Sequence, residues 1–269
     1  MEFANVLGVK VSAVNIPMAL NVLDKWIKNG EHNYVTITGV HGVMESQRDE
    51  FIRQIHNEAG MVTPDGMPLV WANKLQGYSH VDRVYGPDLM LAVCNESEEK
   101  GYKHFFYGGA DGVPELLSEK LLERFPKLNI VGKLSPPFIP AEKITERSEQ
   151  DDEIVKTIND SGADIVWVGL STPKQELFMH SHLGRINAPV MIGVGAAFDF
   201  HAGLKSQAPY WMQRSGTEWL YRLLTEPKRL ARRYLINNPT FLALAFLQAT
   251  GLRRYELPTQ SPSTTQAAT

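Results

Sequence analysis

Six short apolar or β-branched runs punctuate the chain: YVTITG (34–39), GMVTP (60–64), KHFFYGG (103–109), LNIVGK (128–133), DIVWVGL (164–170) and PVMIGVG (189–195). Each is close to continuously apolar, the pattern of a strand buried on both faces. The stretches between them read as helices. PELLSEKLLERF (114–125) carries apolar residues at i, i+3, i+4 and i+7, and a further helix is expected from about 149 to 161. Such alternation predicts an α/β fold, a Rossmann-like, mostly parallel sheet with helices on both faces. The proline-rich LSPPFIPAEK (134–143) reads as an irregular connection.

After residue 204 the pattern changes. APYWMQRSGTEWLYRLLTEPKRLARRYL (208–235) interleaves cations with Trp, Tyr and Leu. Between Lys205 and Arg254 nine Lys/Arg stand against two acids, Glu218 and Glu226, in a chain whose formal net charge is −3. Glu226-Pro227 predicts a break between two helices. Trp211, Trp219, Leu220, Leu223 and Leu224 can form an apolar stripe, and Arg222, Arg229 and Arg233 can share one helical face. NPTFLALAFLQATGLRRYE then adds a short apolar helix with a basic end, able to lie in a membrane interface. The expected organisation is a core over 1–204, a basic amphipathic C-terminal appendage over 205–257, and a disordered tail over 258–269. Segregated cations imply an anionic partner.

Composition narrows the class. With 269 residues, 43% hydrophobic and 21% charged, the chain is of soluble globular type. Its one cysteine, Cys94, excludes an intrachain disulfide and a cysteine-cluster metal site, and fits a reducing compartment. The N-terminus has no signal-peptide pattern and no apolar run spans a bilayer, so the cytoplasm is expected.

Ligands of open parallel sheets bind at the carboxyl ends of the strands, so the loops there hold the candidate chemistry. YGGADG places Gly108 and Gly109 directly after a strand, where backbone amides can approach a phosphate; Gly-Gly also marks any tight turn. GVGAAF offers Gly193 and Gly195, but Phe198 stands where a dinucleotide fingerprint needs its third glycine. In GLSTPKQE, Pro173 suits a first helical turn capped by Ser171 or Thr172, and Lys174, Gln175 and Glu176 follow. Gln175 and Glu176 can bond a uracil edge or sugar hydroxyls; alternatively Thr172 and Gln175 form a capping box. Asp65, on a Pro-Asp-Gly turn after a strand, either shapes the turn or takes a proton from an attacking hydroxyl. Arg83 and Asp88 are expected to pair at the rim. TITGVHG supplies Thr36, Thr38 and His41, with His41 ranked below Asp65. Nucleophile-elbow, zinc-protease, P-loop and Asp-x-Asp motifs are absent.

Taken in order, TPDGMPLVW, RVYGPDLM, FFYGG, VGLSTPKQE, GVGAAFDFHAG and the long basic motif resemble the WecG/TagA/CpsF glycosyltransferases over roughly residues 5 to 236. The resemblance implies a cytoplasmic-face, inverting, metal-independent enzyme without a cofactor. Such an enzyme moves a sugar from a UDP-sugar to a polyprenyl-diphosphate-linked sugar during synthesis of cell-surface polysaccharide. By position Asp65 matches the general base, Thr36 or Thr38 a threonine of the first loop, and Gln175 a donor-site residue. Arg214, Arg222 and Arg229, with Arg232 or Arg233, match basic residues that reach diphosphate and membrane. Many members have Asn at Thr38 or Gly39, Arg-Ala-Pro at Gln207-Ala208-Pro209, and Gly-Leu-Glu-Trp at Gly216-Thr217-Glu218-Trp219. TGVHGVMES is nearer the xanthan-type glucosyltransferases than the N-acetylmannosaminyl branch, which leaves the donor sugar open. The partners implied are a UDP-sugar, the lipid-linked acceptor and an anionic membrane surface, without nucleic acid; an oligomer is compatible with the sequence. The rivals are a nucleotide-binding oxidoreductase, which lacks its complete fingerprint here, and a nucleic-acid binder, whose phosphates the acidic remainder of the chain would repel.

Overall fold

Every one of the six apolar runs becomes a strand. The computed structural model describes residues 1–257, and the expected tail at 258–269 lies outside the described residues. In chain order the elements are β1 (Phe3–Val6), β2 (Val9–Ser12), α1 (Ile16–Asn29), β3 (Asn33–Thr38), α2 (Val40–Arg48), α3 (Glu50–Glu58), β4 (Met61–Pro64), α4 (Met67–Leu75), α5 (Gly86–Lys100), β5 (Lys103–Gly108) and α6 (Val113–Arg124). They continue with β6 (Asn129–Leu134), α7 (Glu149–Asp160), β7 (Ile165–Gly169), α8 (Lys174–His182), β8 (Val190–Gly193), α9 (Ala197–His201), α10 (Tyr210–Ser215), α11 (Glu218–Thr225) and α12 (Pro227–Ala249). The main sheet has the order β4-β3-β8-β7-β5-β6, and all its pairings are parallel.

Side-chain alternation in the central strands explains why both faces are covered. Phe106, Ile165 and Trp167 enter a cluster with residues of α1, α5, α6 and α9. Phe105, Tyr107, Val166 and Val168 point the other way, onto residues of α3, α7 and α8. The Rossmann-like α/β arrangement expected from the apolar runs is thus the observed one.

A third cluster was not foreseen. β1 and β2 form an antiparallel hairpin whose Ala4, Val6, Leu7, Val9 and Val11 pack with Val43, Met44 and Leu69, and with Phe241 of α12. The Gln248 side chain at the end of α12 accepts from Leu7 N at 3.0 Å and donates to Asn5 O at 2.9 Å. The basic segment therefore folds back along the hairpin and α2. Its helices break at Glu226-Pro227 as expected, but NPTFLALAFLQA is not a separate short helix: α12 runs unbroken from Pro227 to Ala249 with Pro239 inside.

Candidate active site

Four strand ends meet the C-terminal helices around a cavity of about 370 Å³. Its walls come from the segments that follow β3 (Gly39 and, at the start of α2, His41), β4 (Asp65), β7 (Ser171, Thr172) and β8 (Val194, Gly195), closed by Trp219, Arg222, Arg229, Arg233 and Tyr234. This is where open parallel sheets bind ligands.

Asp65 sits on the turn after β4, its backbone N–H bonded to Thr38 O at 2.9 Å, which holds that turn against the end of β3. Its side chain is partly exposed. One carboxylate oxygen, Oδ1, accepts from Arg83 Nη2 at 3.3 Å; Oδ2 has no donor among the described residues. Arg83 is the buried hub of the site. It also meets Glu218 of α11, donates to Gln213 Oε1 at 3.2 Å, and lies 4.0 Å from the centre of the Tyr85 ring. Burial works against its charge, yet the carboxylates of Asp65 and Glu218 hold its pKa above the usual guanidinium value. Burial pushes the Glu218 carboxyl up, against the pull of Arg83 and with Asp65 adding to the rise. The expected Arg83–Asp88 pair does not form. Asp88 lies exposed in the first turn of α5, whereas Arg83 turns towards carboxylates far away in sequence.

Arg222 and Arg233 form no ion pair among the described residues, and the Nε of each is buried without a hydrogen-bond acceptor. Burial lowers Arg233 to about 10. Arg229 also lines the cavity but pairs with Glu226, Nε to Oε2 at 2.7 Å. The three arginines belong to two helices, so they converge through the break at Pro227 and not along one helical face. Arg214 and Arg232 lie outside the cavity wall. The first donates to Asp82 Oδ1 at 2.8 Å, and the second is exposed on the outer side of α12.

The β7–α8 turn departs from a capping box. Ser171 has a left-handed φ of 64°, Pro173 is the N-cap without a side-chain bond, and Thr172 Oγ1 donates to Glu176 Oε1 at 2.9 Å. Gln175 Nε2 donates to the same oxygen at 3.1 Å, which leaves Gln175 Oε1 unpartnered at the cavity wall. Gln175 therefore presents an acceptor, and the group it meets must carry a hydrogen. Gly193 makes room for this side chain, because a Cβ there would lie 3.1 Å from Gln175 Cδ. Glu176 is buried behind Gln175. Lys174 is turned away, donating to Ile139 O at 2.6 Å.

Thr36 and Thr38 are buried within β3, joined Oγ1 to Oγ1 at 3.1 Å, and neither lines the cavity. Gly108 and Gly109 are outside it as well. Gly108 has a φ of 123° and faces the Gly169 backbone, where a Cβ would lie 2.7 Å from the carbonyl, so it serves the close approach of β5 and β7. Wall residues that carried no assigned role in the sequence include Tyr85, Gln213, Glu218, Tyr234 and Asn237. One signal was available for Glu218, since it is one of only two acids in a strongly basic segment.

A carboxylate with one free oxygen, facing unpaired arginines across the carboxyl ends of a parallel sheet, suits an α/β transferase acting on phosphate-linked groups. The glycosyl transferase WecG/TagA/CpsF family matches residues 4–255, and the chain belongs to that family. It is therefore a glycosyltransferase. Over 188 residues it is 30% identical to the N-acetylglucosaminyldiphosphoundecaprenol N-acetyl-beta-D-mannosaminyltransferase of Bacillus spizizenii, covering 70% of this chain and 69% of that relative.

Proposed function

We propose that the protein transfers a hexose or N-acetylhexosamine from a UDP-sugar to a polyprenyl-diphosphate-linked sugar, with inversion at the anomeric carbon. The observation that carries this reading is the free oxygen of Asp65 and the unpaired Arg222 and Arg233 on the walls of one cavity. Inversion needs one base to take the proton of the acceptor hydroxyl as that oxygen attacks. Asp65 Oδ2 can do so while Arg83 holds Oδ1. The bond from the anomeric carbon to the departing phosphate oxygen breaks, and its electrons stay with the UDP. The arginines then meet the growing charge. Gln175 Oε1 suits a donor such as the uracil N3–H or a sugar hydroxyl. The name of the Bacillus spizizenii relative supports a lipid-diphosphate acceptor and an N-acetylhexosamine donor.

The outer side of the C-terminal helices supports peripheral contact with an anionic membrane. Tyr210, Trp211, Leu224, Leu235 and Phe246 are exposed and stand outside the cavity lining, in helices that also carry exposed Lys228 and Arg232. Among the described residues no helix is long and apolar enough to cross a membrane. The test is transfer to a synthetic lipid-diphosphate sugar from a panel of UDP-sugars. Asp65→Asn is expected to lower kcat by at least about 100-fold while UDP still binds. A near-normal kcat in that variant would remove Asp65 as the base, and no transfer from any UDP-sugar by the unmodified protein would sink the reading as a whole.

A further inference from the structure

We propose that His41 is a further catalytic residue of this transfer, donating a hydrogen bond from Nε2–H to a diphosphate oxygen, and that Arg48 and Asn237 are positioning residues that fix its tautomer. The proposal rests on the transferase reading above, but its geometry stands by itself.

His41 is the second residue of α2 and lines the cavity beside Gly39, which touches the Asp65 turn. Its Nδ1 faces Asn237 Nδ2 of α12 at 3.3 Å. Asn237 is buried, and Arg48 also meets its amide. A guanidinium only donates, so the Asn237 atom it meets must be the carbonyl oxygen. The amide nitrogen then points at His41 and donates to Nδ1. Nδ1 must therefore be the unprotonated nitrogen, and the ring proton sits on Nε2. Every hydrogen in the chain Arg48 → Asn237 → His41 runs one way, towards the cavity.

Burial, helped by the charges around the ring, keeps it neutral. Burial lowers the His41 pKa to about 3, with Arg233 and Arg48 adding to the effect. Among the described residues the one acid within 4 Å of it is Glu45, 3.6 Å from Nδ1, whose near oxygen already accepts from Arg48 Nη1 at 2.6 Å. A neutral donor has a specific use next to Arg222 and Arg233. It adds a directed hydrogen bond to an oxygen of a diphosphate without adding a third charge that would have to be buried when the site is empty. Removing one bond from a neutral donor to a charged acceptor lowers a rate by about 10- to 100-fold.

The experiment combines nitrogen-resolved histidine NMR of the full chain with kinetics. His41, assigned by difference with His41→Gln, is expected to show a protonated Nε2 and an unprotonated Nδ1 that do not titrate between about pH 5.5 and 8. UDP and a short-chain prenyl diphosphate are added in separate arms. A shift of the Nε2–H resonance by one of them identifies which diphosphate it meets; no shift with either overturns the proposal. Asn237→Asp offers Nδ1 only acceptor oxygens, so the proton is expected to move to Nδ1 or the ring to become charged, with kcat falling as in His41→Ala. His41→Gln, whose amide can reach the place of Nε2, is expected to recover much of the loss in kcat. A proton on Nδ1 in the unmodified protein, ordinary titration near neutrality, or His41→Ala turning over within about twofold of the unmodified enzyme would each overturn it. Absence of transfer by the unmodified enzyme would count against the transferase reading, and the tautomer and diphosphate arms would still decide the role of His41.

Discussion

Replacing Arg83 tests whether the base and the C-terminal helices form one machine. Arg83→Met keeps most of the stem's volume and removes the charge, leaving Glu218 and Asp65 facing each other without a cation. Their side chains are 14% and 28% exposed, against 6% for Arg83, so solvent screens these pairs only in part. Breaking a buried pair by removing one partner costs about 3–5 kcal/mol. The Glu218 contact falls in that range. The Asp65 contact, longer and wetter, adds about 1 kcal/mol or less. Some is recovered when Glu218 takes up a proton, since burial already raises its pKa. A net loss of about 3–4 kcal/mol corresponds to a fall in Tm of roughly 6–16 °C for a domain of this size. The kinetic signature is separate. Arg83 holds Asp65 Oδ1 at 3.3 Å, so removing it frees the base to rotate away from the attacking hydroxyl and is expected to lower kcat by at least about tenfold. Arg83→Lys keeps the charge but cannot fork between two carboxylates; it is expected to keep part of the stability while still lowering kcat. The assay is thermal unfolding together with the rate of transfer. If Arg83→Met melts with the unmodified protein and its kcat is unchanged, Arg83 neither holds the segment nor positions the base.

Arg233 gives the opposite stability sign. Its folded pKa lies near 10, below the usual guanidinium value, so burying its charge destabilises the empty protein at every pH below about 10 and ceases to do so as pH rises above it. Arg233→Met is expected to raise stability at pH 7 by about 1–3 kcal/mol while weakening UDP or lipid-diphosphate binding by at least tenfold; a lower Tm with unchanged affinity would contradict the role given to it. Trp211→Ser, Leu224→Ser and Phe246→Ser together are expected to weaken sedimentation with anionic vesicles and leave UDP binding intact. Arg232→Glu should weaken partitioning by about 30-fold, from roughly 1 kcal/mol per charge unit, and partitioning that stays unchanged at low salt would refute the docking face.

What could be seen in the sequence follows from physics local to each segment. The six strands were visible because parallel strands buried on both faces read as unbroken apolar runs. The β1–β2 hairpin was not: its strands are four residues each, and its two-residue turn is Leu7-Gly8, with φ of 52° and 84°. Leucine is not a residue that announces positive φ, so Gly8 alone was only half of a hairpin-turn signal. Asp65 stood out as a carboxylate on a turn after a strand. Arg83 was noticed but given the wrong partner, because Asp88 is five residues away whereas Glu218 is 135 away in sequence and adjacent only in the fold. Arg222, Arg229 and Arg233 meet at the cavity, but a helix break brings them together where the sequence suggested one helical face. The His41–Asn237 contact spans 196 residues and had no local signal at all.

These long-range ties decide how membrane contact and chemistry are to be separated. Cutting the chain after about residue 204 looks like the direct test of docking, but the fold argues otherwise. That cut removes Glu218 from Arg83 and Asn237 from His41, and it takes Phe241, only 3% exposed, out of the cluster that seats the β1–β2 hairpin. A truncated protein would lose catalysis and stability whether or not it ever touched lipid. The inner side of the C-terminal helices is a wall of the cavity, whereas Trp211, Leu224, Leu235 and Phe246 are exposed outside that lining. Substitutions confined to the outer side leave Arg83 and Asn237 with their partners, so a loss of vesicle binding there, with turnover of a soluble short-chain acceptor retained, isolates docking from catalysis. Loss of both together would mean that membrane contact and the geometry of the arginines are a single property of these helices.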